Sequence, residues 1–351
     1  MDTQMAVTQM DPFAATWLQR EDRTSKVRLT ANPDYWDKDR GPRLREVVLR
    51  NDLTPEEALD LVCTTEGEVD VVTEVSPADA EKVENSEHAE LVSTEAIFTV
   101  AGVINRDAEG LPLADRRARL ALNLAVDRER LVRETMFGRA TPLAGLTPPA
   151  AVPEEGRLKP HSHDPGRAAE LWNEARSETG GGERPLRVAA LGGLEDVARA
   201  VAADLEGALS VGVEVVVYRG EEELPVRRRL AEKKLAQGWD VLILGHGAQF
   251  AESVVAELHR AFAGATGEFR AGPAVPEFES LFAELAAKTA PPEQAEVSQR
   301  IDRLVRDESL ALSLCAPRAL YAVNKHVDFT PYRTSFEFAE TSVDDGHWSR
   351  R

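Results

Sequence analysis

The chain has 351 residues, 42% hydrophobic and 29% charged, the balance of a soluble globular protein long enough for two α/β lobes or one large one. With 42 basic against 61 acidic side chains it carries a formal charge of −19, which opposes the counterion release that nucleic-acid binding draws on, and nucleic acid is excluded as a partner on that ground. No apolar run is long enough to span a bilayer, and two cysteines, Cys63 and Cys315, leave both a disulfide and two ordinary thiols open.

From the start, Met1-Asp2-Thr3-Gln4-Met5 has no basic region, apolar core or lipobox cysteine and does not read as a secretion signal, so the chain is either a mature or trimmed fragment or stays inside the cell. Residues 1–14 read as irregular. Val27 to Thr30 alternates like a strand, and Ala31-Asn32-Pro33-Asp34-Tyr35-Trp36 is a turn, because Pro33 fixes its own φ and keeps Asn32 out of the helical region. Thr54 with Glu57 forms a capping box for a helix through Ala58, Leu61 and Val62, and Ser76-Pro77 opens another through Val83. Phe98 to Ile104 is an apolar strand ending at Asn105. Asp115 caps a helix carrying Leu120, Ala121, Leu124 and Ala125 on one stripe, and Asp127 caps a second helix from Arg128 to Phe137, with Gly138 as its stop.

The Pro-, Gly- and His-rich stretch from Pro142 to Pro165 reads as a surface connection and a domain boundary. His163-Asp164-Pro165 caps a helix over Gly166 to Arg176, and Thr179 to Glu183 is a flexible linker. Strands at Leu186–Leu191, Val213–Tyr218 and Trp239–Gly245 alternate with helices at Asp196–Leu209 and Leu224–Gln237, the pattern of an α/β lobe with mixed or parallel pairing. Helices at Glu277–Lys288 and Pro292–Asp307 follow, then two closing strands, Leu310–Leu314 and Arg318–Val323.

His161 and His163 could offer two imidazoles to a metal, but nothing nearby completes a four-ligand site, so no metal is expected. The glycine-rich pieces at Gly192-Gly193 and Gly245-His246-Gly247 match no nucleotide fingerprint, and no G-x-S-x-G elbow occurs. Arg227-Arg228-Arg229 with Lys233-Lys234 reads as a solvated face paired with Glu221, Glu222, Glu223 and Glu232. His246 and Gln249 follow an apolar strand, where residues of an α/β lobe face the ligand crevice; a helix cap is the competing reading.

Leu113 to Arg128 resembles the D-x-R-V-R-x-A-L-x-x-A-I-D-R signature of the family 5 extracellular solute-binding proteins, the peptide and nickel receptors of ABC importers. Further likenesses are Ala31 to Trp36 with Gly41 to Arg50, Gly67 to Val72, Gly138 to Pro149, His163 onward, and Tyr321 to Val327. The resemblance implies a noncatalytic, cofactor-free protein of the periplasmic-binding-protein type. Two α/β lobes with mixed sheets would close over a small-molecule or peptide-like ligand, working outside the cytoplasm with an ABC permease; a homo-oligomer is also compatible. Against the family pattern, the opening of lobe I and the extra domain are missing, and its W-x-x-D, whose Asp pairs with a peptide's α-ammonium, is matched by His246 and Gln249. A neutral Gln cannot compensate a desolvated ammonium, so ordinary free peptides should bind weakly or not at all.

The expected organisation is α/β, with partial lobe I over 1–141, a crossing and linker over 142–183, a second lobe over 184–316 and a return over 317–351. The hinge would lie near Pro142–Pro153 and Leu314–Val323. The candidate ligand residues are Asn105, Trp239, His246, Gln249 and Asn324, with the ligand held between Asn105 and His246/Gln249. The rival functions are a cytoplasmic sensor or sequestering module on the same scaffold, and an enzyme using His246 as acid–base.

Overall fold

The computed structural model describes residues 17–21, 26–37, 39–152, 154–179, 184–232, 238–247, 254–332 and 338–351. They form two compact units, one from residues up to Thr94 with Ala319–Arg351 and the other from Glu95–Arg318.

The first unit begins with an antiparallel sheet of β1 (Trp17–Glu21), β2 (Lys26–Ala31) and β3 (Glu46–Arg50). Then come α1 (Pro55–Thr64), β4 (Val71–Val72), α2 (Ala80–Glu84) and β5 (Ala89–Glu95). The Thr54/Glu57 capping box forms as the sequence requires: the Thr54 hydroxyl accepts from the Glu57 N–H at 3.2 Å, and the Glu57 carboxylate accepts from the Thr54 N–H at 2.8 Å.

The second unit contains β6 (Phe98–Ile104), α3 (Arg116–Ala125), α4 (Arg128–Thr135), β7 (Ala140–Pro142), α5 (Pro165–Thr179), β8 (Leu186–Leu191), α6 (Glu195–Leu209), β9 (Val213–Tyr218), α7 (Glu223–Ala231), β10 (Val241–Gly247), α8 (Val254–Ala263), α9 (Pro276–Ala287), α10 (Pro291–Asp307) and most of β11 (Ala311–Asn324). Its sheet runs β11-β6-β10-β8-β9, with β6 antiparallel to both neighbours, β10, β8 and β9 mutually parallel, and β7 alongside β11. Side chains alternate across the pleat. Val100, Val188, Val241 and Ile243 meet α3 to α6 on one face, while Ala101, Ala189, Leu242 and Leu244 meet α7 to α10 on the other. Covered on both faces, the strands can be apolar throughout, which is why Val241 to Leu244 reads as a continuous run.

The caps on Asp115, Asp127 and Asp164 hold, accepting from the N–H groups of Arg117, Arg130 and Arg167 at 2.8, 3.0 and 2.9 Å. The second of these helices stops before Phe137, which takes a left-handed φ of 50° ahead of Gly138 at 73°.

Two expectations are corrected. Residues 142–183 are not a crossing between lobes: β7 pairs with β11 and α5 packs on α3, which keeps them inside the second unit, and residues 95–141 belong there too because β6 lies between β10 and β11. The chain passes between units at Thr94–Glu95 and Arg318–Ala319. The two closing strands are one, β11, running through Pro317, which lies opposite Ala140 of the short β7. The linker after Thr179 and the end of the basic helix, Lys233 to Gln237, lie outside the described residues.

Back in the first unit, Leu320 and Ala322 of β11 pack on α1 and α2, while Tyr321 and Val323 face Val327 and Phe329. The hairpin of β12 (Val327–Asp328) and β13 (Ser342–Val343) ends the regular structure. Cys63 and Cys315 are buried free thiols, and burial pushes the Cys315 thiol up to about 12.

Candidate functional site

The parallel registers Ile243–Ala190 and Leu191–Tyr218 make β8, β9 and β10 end on the same side of the second unit's sheet. There Gly192, Arg219 and His246 terminate or follow their strands, the place where open α/β sheets receive ligands. The chain enters this unit at Glu95 and leaves it at Arg318, at that same end: Phe98 pairs with Gly247, and Cys315 with Val100.

His246 is half-buried, its imidazole edge-on to Phe269 at 5.0 Å and to Phe262 at 6.4 Å, with the two phenyl rings 5.3 Å apart. Burial pushes the imidazole below its ordinary range, against the pull of the Glu268 and Glu257 carboxylates, so the ring is neutral at pH 7. A neutral imidazole gives one hydrogen-bond donor and one acceptor and holds no fixed charge for a ligand. Gln249 lies outside the described residues.

The other sequence candidates stand elsewhere. Asn105 is buried at the opposite end of the β6–β10 ladder: its N–H donates to the Asp240 carbonyl at 2.8 Å, and its side-chain oxygen accepts from the Asp107 N–H at 3.2 Å. Since Ile104 pairs with Val241 and Thr99 with His246, five ladder steps separate the two ends, about 17 Å at roughly 3.4 Å per residue. Asn105 and His246 therefore stand at opposite ends of the ladder, too far apart for one small ligand to touch both. Trp239 is a core side chain, 3% exposed. Asn324 belongs to the first unit, where its amide donates to Asp70 at 3.2 Å and its oxygen accepts from the His326 N–H at 2.9 Å.

Sequence reasoning missed the aromatic surroundings of His246. Phe262 and Phe269 come from α8 and the loop after it; no spacing in the sequence links them to His246, because helix packing brings them together. His161 and His163 do not converge on a common centre: His161 meets the Arg306 carbonyl at 3.3 Å and His163 the Asp127 carboxylate at 3.8 Å. Among the described residues no cluster of three His, Cys, Asp or Glu side chains could hold a metal ion.

Comparison with known proteins places this geometry in a lineage. A probable di/tripeptide-binding protein 5 of Pseudomonas aeruginosa is 26% identical over 160 residues, 46% of this chain and 29% of the relative, so less than a third of that relative's length is matched. The fold is shared with the ABC transporter substrate-binding protein CtaP of Listeria monocytogenes (TM-score 0.78, 16% identity, 94% of this chain and 66% of that one). It is shared also with a dipeptide-binding protein of Pseudoalteromonas sp. SM9913 in complex with Met-Leu (TM-score 0.73, 17% identity, 94% and 64%). The model of the bacterial extracellular solute-binding proteins, family 5 Middle, matches residues 17–256, and the chain belongs to that family.

Proposed function

We propose that the chain is a noncatalytic solute-binding protein of an ABC importer, working outside the cytoplasm with a membrane permease and taking a small polar or peptide-like ligand. The observation that carries this reading is the common end of β8, β9 and β10, where a neutral, half-buried His246 stands among aromatic rings in a chain of family 5. Peptide-type ligands are in keeping with the relatives named as di/tripeptide- and dipeptide-binding proteins. Where peptide-binding members carry W-x-x-D, this sequence has His246 and Gln249, so the ligand's end at this strand tip is uncharged or blocked rather than a free ammonium.

Thermal-shift and calorimetric titration of folded protein tests the reading, with di- and tripeptides, their N-acetyl forms, sugars, metal complexes and polyamines. A ligand that binds only the native state stabilises it by about 2.7 kcal/mol at a hundredfold excess over Kd. At least one solute should raise the melting temperature, and N-acetyl peptides should do so more than free ones. Folded protein that none of the panel stabilises would overturn the proposal.

A further inference from the structure

We propose that Phe98 is the platform on which an aromatic, or similarly flat apolar, group of the ligand stacks. The inference rests on the binding function proposed above and adds which ligand class the strand tip selects.

Of the seven residues of β6, Thr99 to Ile104 are all buried; Phe98, the largest side chain of the strand, is 39% exposed. Its seat is specific. Phe98 pairs with Gly247 and leans back over Gly245, where a Cβ would stand 2.4 Å from the ring, while one at Gly247 would stand 3.1 Å from it. Two glycines spaced i, i+2 on one face of β10 thus leave a flat bed of backbone that only side-chain-free residues provide. The ring lies over both glycines, and Phe98 keeps 39% of its surface exposed at the sheet end.

The neighbourhood suits a ligand rather than a core. His246, one residue along, points to the other face of β10 and contacts Phe262 and Phe269 there, so the strand tip is bracketed by rings on both sides. Gly192 ends the neighbouring parallel strand. A flat group laid on the phenyl would gain offset-stacking contact and lose water, on the face of β10 opposite to His246.

The probes are Ala-Phe and Ala-Ala, each free and N-acetylated, titrated calorimetrically into wild-type protein and into Phe98→Ala, Phe98→Leu and Gly245→Ala. Wild-type protein should prefer the Phe-containing member of a pair by about tenfold, the size of one good aromatic contact. Phe98→Ala and Phe98→Leu should each bring that preference below about threefold, Leu filling the seat without offering a ring face. Gly245→Ala, which forces the phenyl off its bed, should do the same with Phe98 intact. Circular dichroism and melting temperature report that each variant is folded. A wild-type preference that survives Phe98→Ala and Phe98→Leu overturns the platform and leaves the binding function standing. Binding of some other solute of the wider panel, with none of the four probes bound, also overturns the platform alone. No binding of anything overturns both.

Discussion

The two units solve the problem of holding polar groups in opposite ways. In the first, one oxygen of Asp70, in the turn before β4, gathers three donors: the Asn324 amide at 3.2 Å, the His347 imidazole at 3.1 Å and the Trp348 indole at 3.0 Å. Arg351 reaches Glu66 at 3.0 Å, so the last residues of the chain are clasped onto an early turn through two part-exposed carboxylates, although Asn324 and His347 themselves are buried. The second unit instead buries its charges. Arg128 is 4% exposed and among the described residues its hydrogen bonds reach no carboxylate; its guanidinium donates to the carbonyls of Ser313 and Asn123 and to the Asn123 side chain, at 2.7 to 2.8 Å. Arg119 likewise caps the carbonyls of Ala114 and Glu308. A wide apolar core can fix such cations where the chain turns between helix and strand. A unit with two small clusters ties its tail to the part-exposed Asp70 instead, and substitutions should be costly in the second unit and local in the first.

The sharpest way to break that contrast is at Asp240, which is 0% exposed and bound by Arg184 at 2.7 and 2.8 Å and by the Arg187 N–H at 2.8 Å. Burial alone would raise this carboxyl, but the hydrogen bonds from Arg184 and Arg187 win and hold it below its ordinary value. Asp240→Ala should cost about 3 kcal/mol in urea unfolding, at the low end for a broken buried pair because both arginines keep some access to water. Asp240→Asn, which still accepts from the Arg187 N–H, should cost about 2 kcal/mol. The sign with pH follows from a depressed acid: its contribution is complete above the unfolded carboxylate value of about 3.9 and fades as pH falls through the lower folded value. Asp240→Asn should flatten that part of the stability curve.

Next in size is Arg128→Met. Burial pushes the guanidinium down to about 10, still charged at pH 7, and four hydrogen bonds offset its desolvation. Methionine fills the volume but takes the Arg128 donors from the Ser313 and Asn123 carbonyls, so about 2 kcal/mol of stability should be lost, read as a lower urea midpoint with unchanged m.

What was legible beforehand divides along the same line. Caps are local chemistry, so Asp115, Asp127, Asp164 and Thr54/Glu57 could be read from a few residues. Asn105 and Asn324 misled for a reason equally local. Each follows or ends an apolar strand and accepts from the N–H two residues on, as Asn32 does after β2, so all three make strand-ending Asx turns, a local role that the same residue type and position also signal. The Pro-rich segment after Pro142 carries every mark of a linker, yet the β7–β11 ladder, set by residues more than 170 positions away, keeps it inside the second unit. The rings around His246 come from nearer in the chain, Phe262 and Phe269, but reach it by the packing of α8 and its following loop, which no periodicity displays.

In the first unit, His347→Ala tests the clasp. The ring donates through Nε2 to Asp70, while Nδ1 accepts from the Ser349 N–H at 3.3 Å and caps the final turn. Losing both bonds should cost about 1 kcal/mol. It should appear as faster amide exchange over residues 342–351, with the exchange of β6 and β10 unaltered. Equal acceleration in both units would mean that the clasp supports the whole molecule, and the contrast would fail.

The smallest effect belongs to Arg351→Gln. The Arg351 side chain is 54% exposed and its partner Glu66 33% exposed, so water screens the pair and each long side chain gives up rotamer freedom to make it. A change of about 0.3 kcal/mol is expected at low salt, shrinking further at about 0.5 M salt as the screening length contracts. Because Trp348 and His347 keep their bonds to Asp70, exchange should quicken at Arg350 and Arg351 before it does at Ser342 or Val343. A loss as large as that of His347→Ala, insensitive to salt, would show that the terminal ion pair and not the Asp70 hub holds the tail, and would move the closing point of the first unit to its last residue.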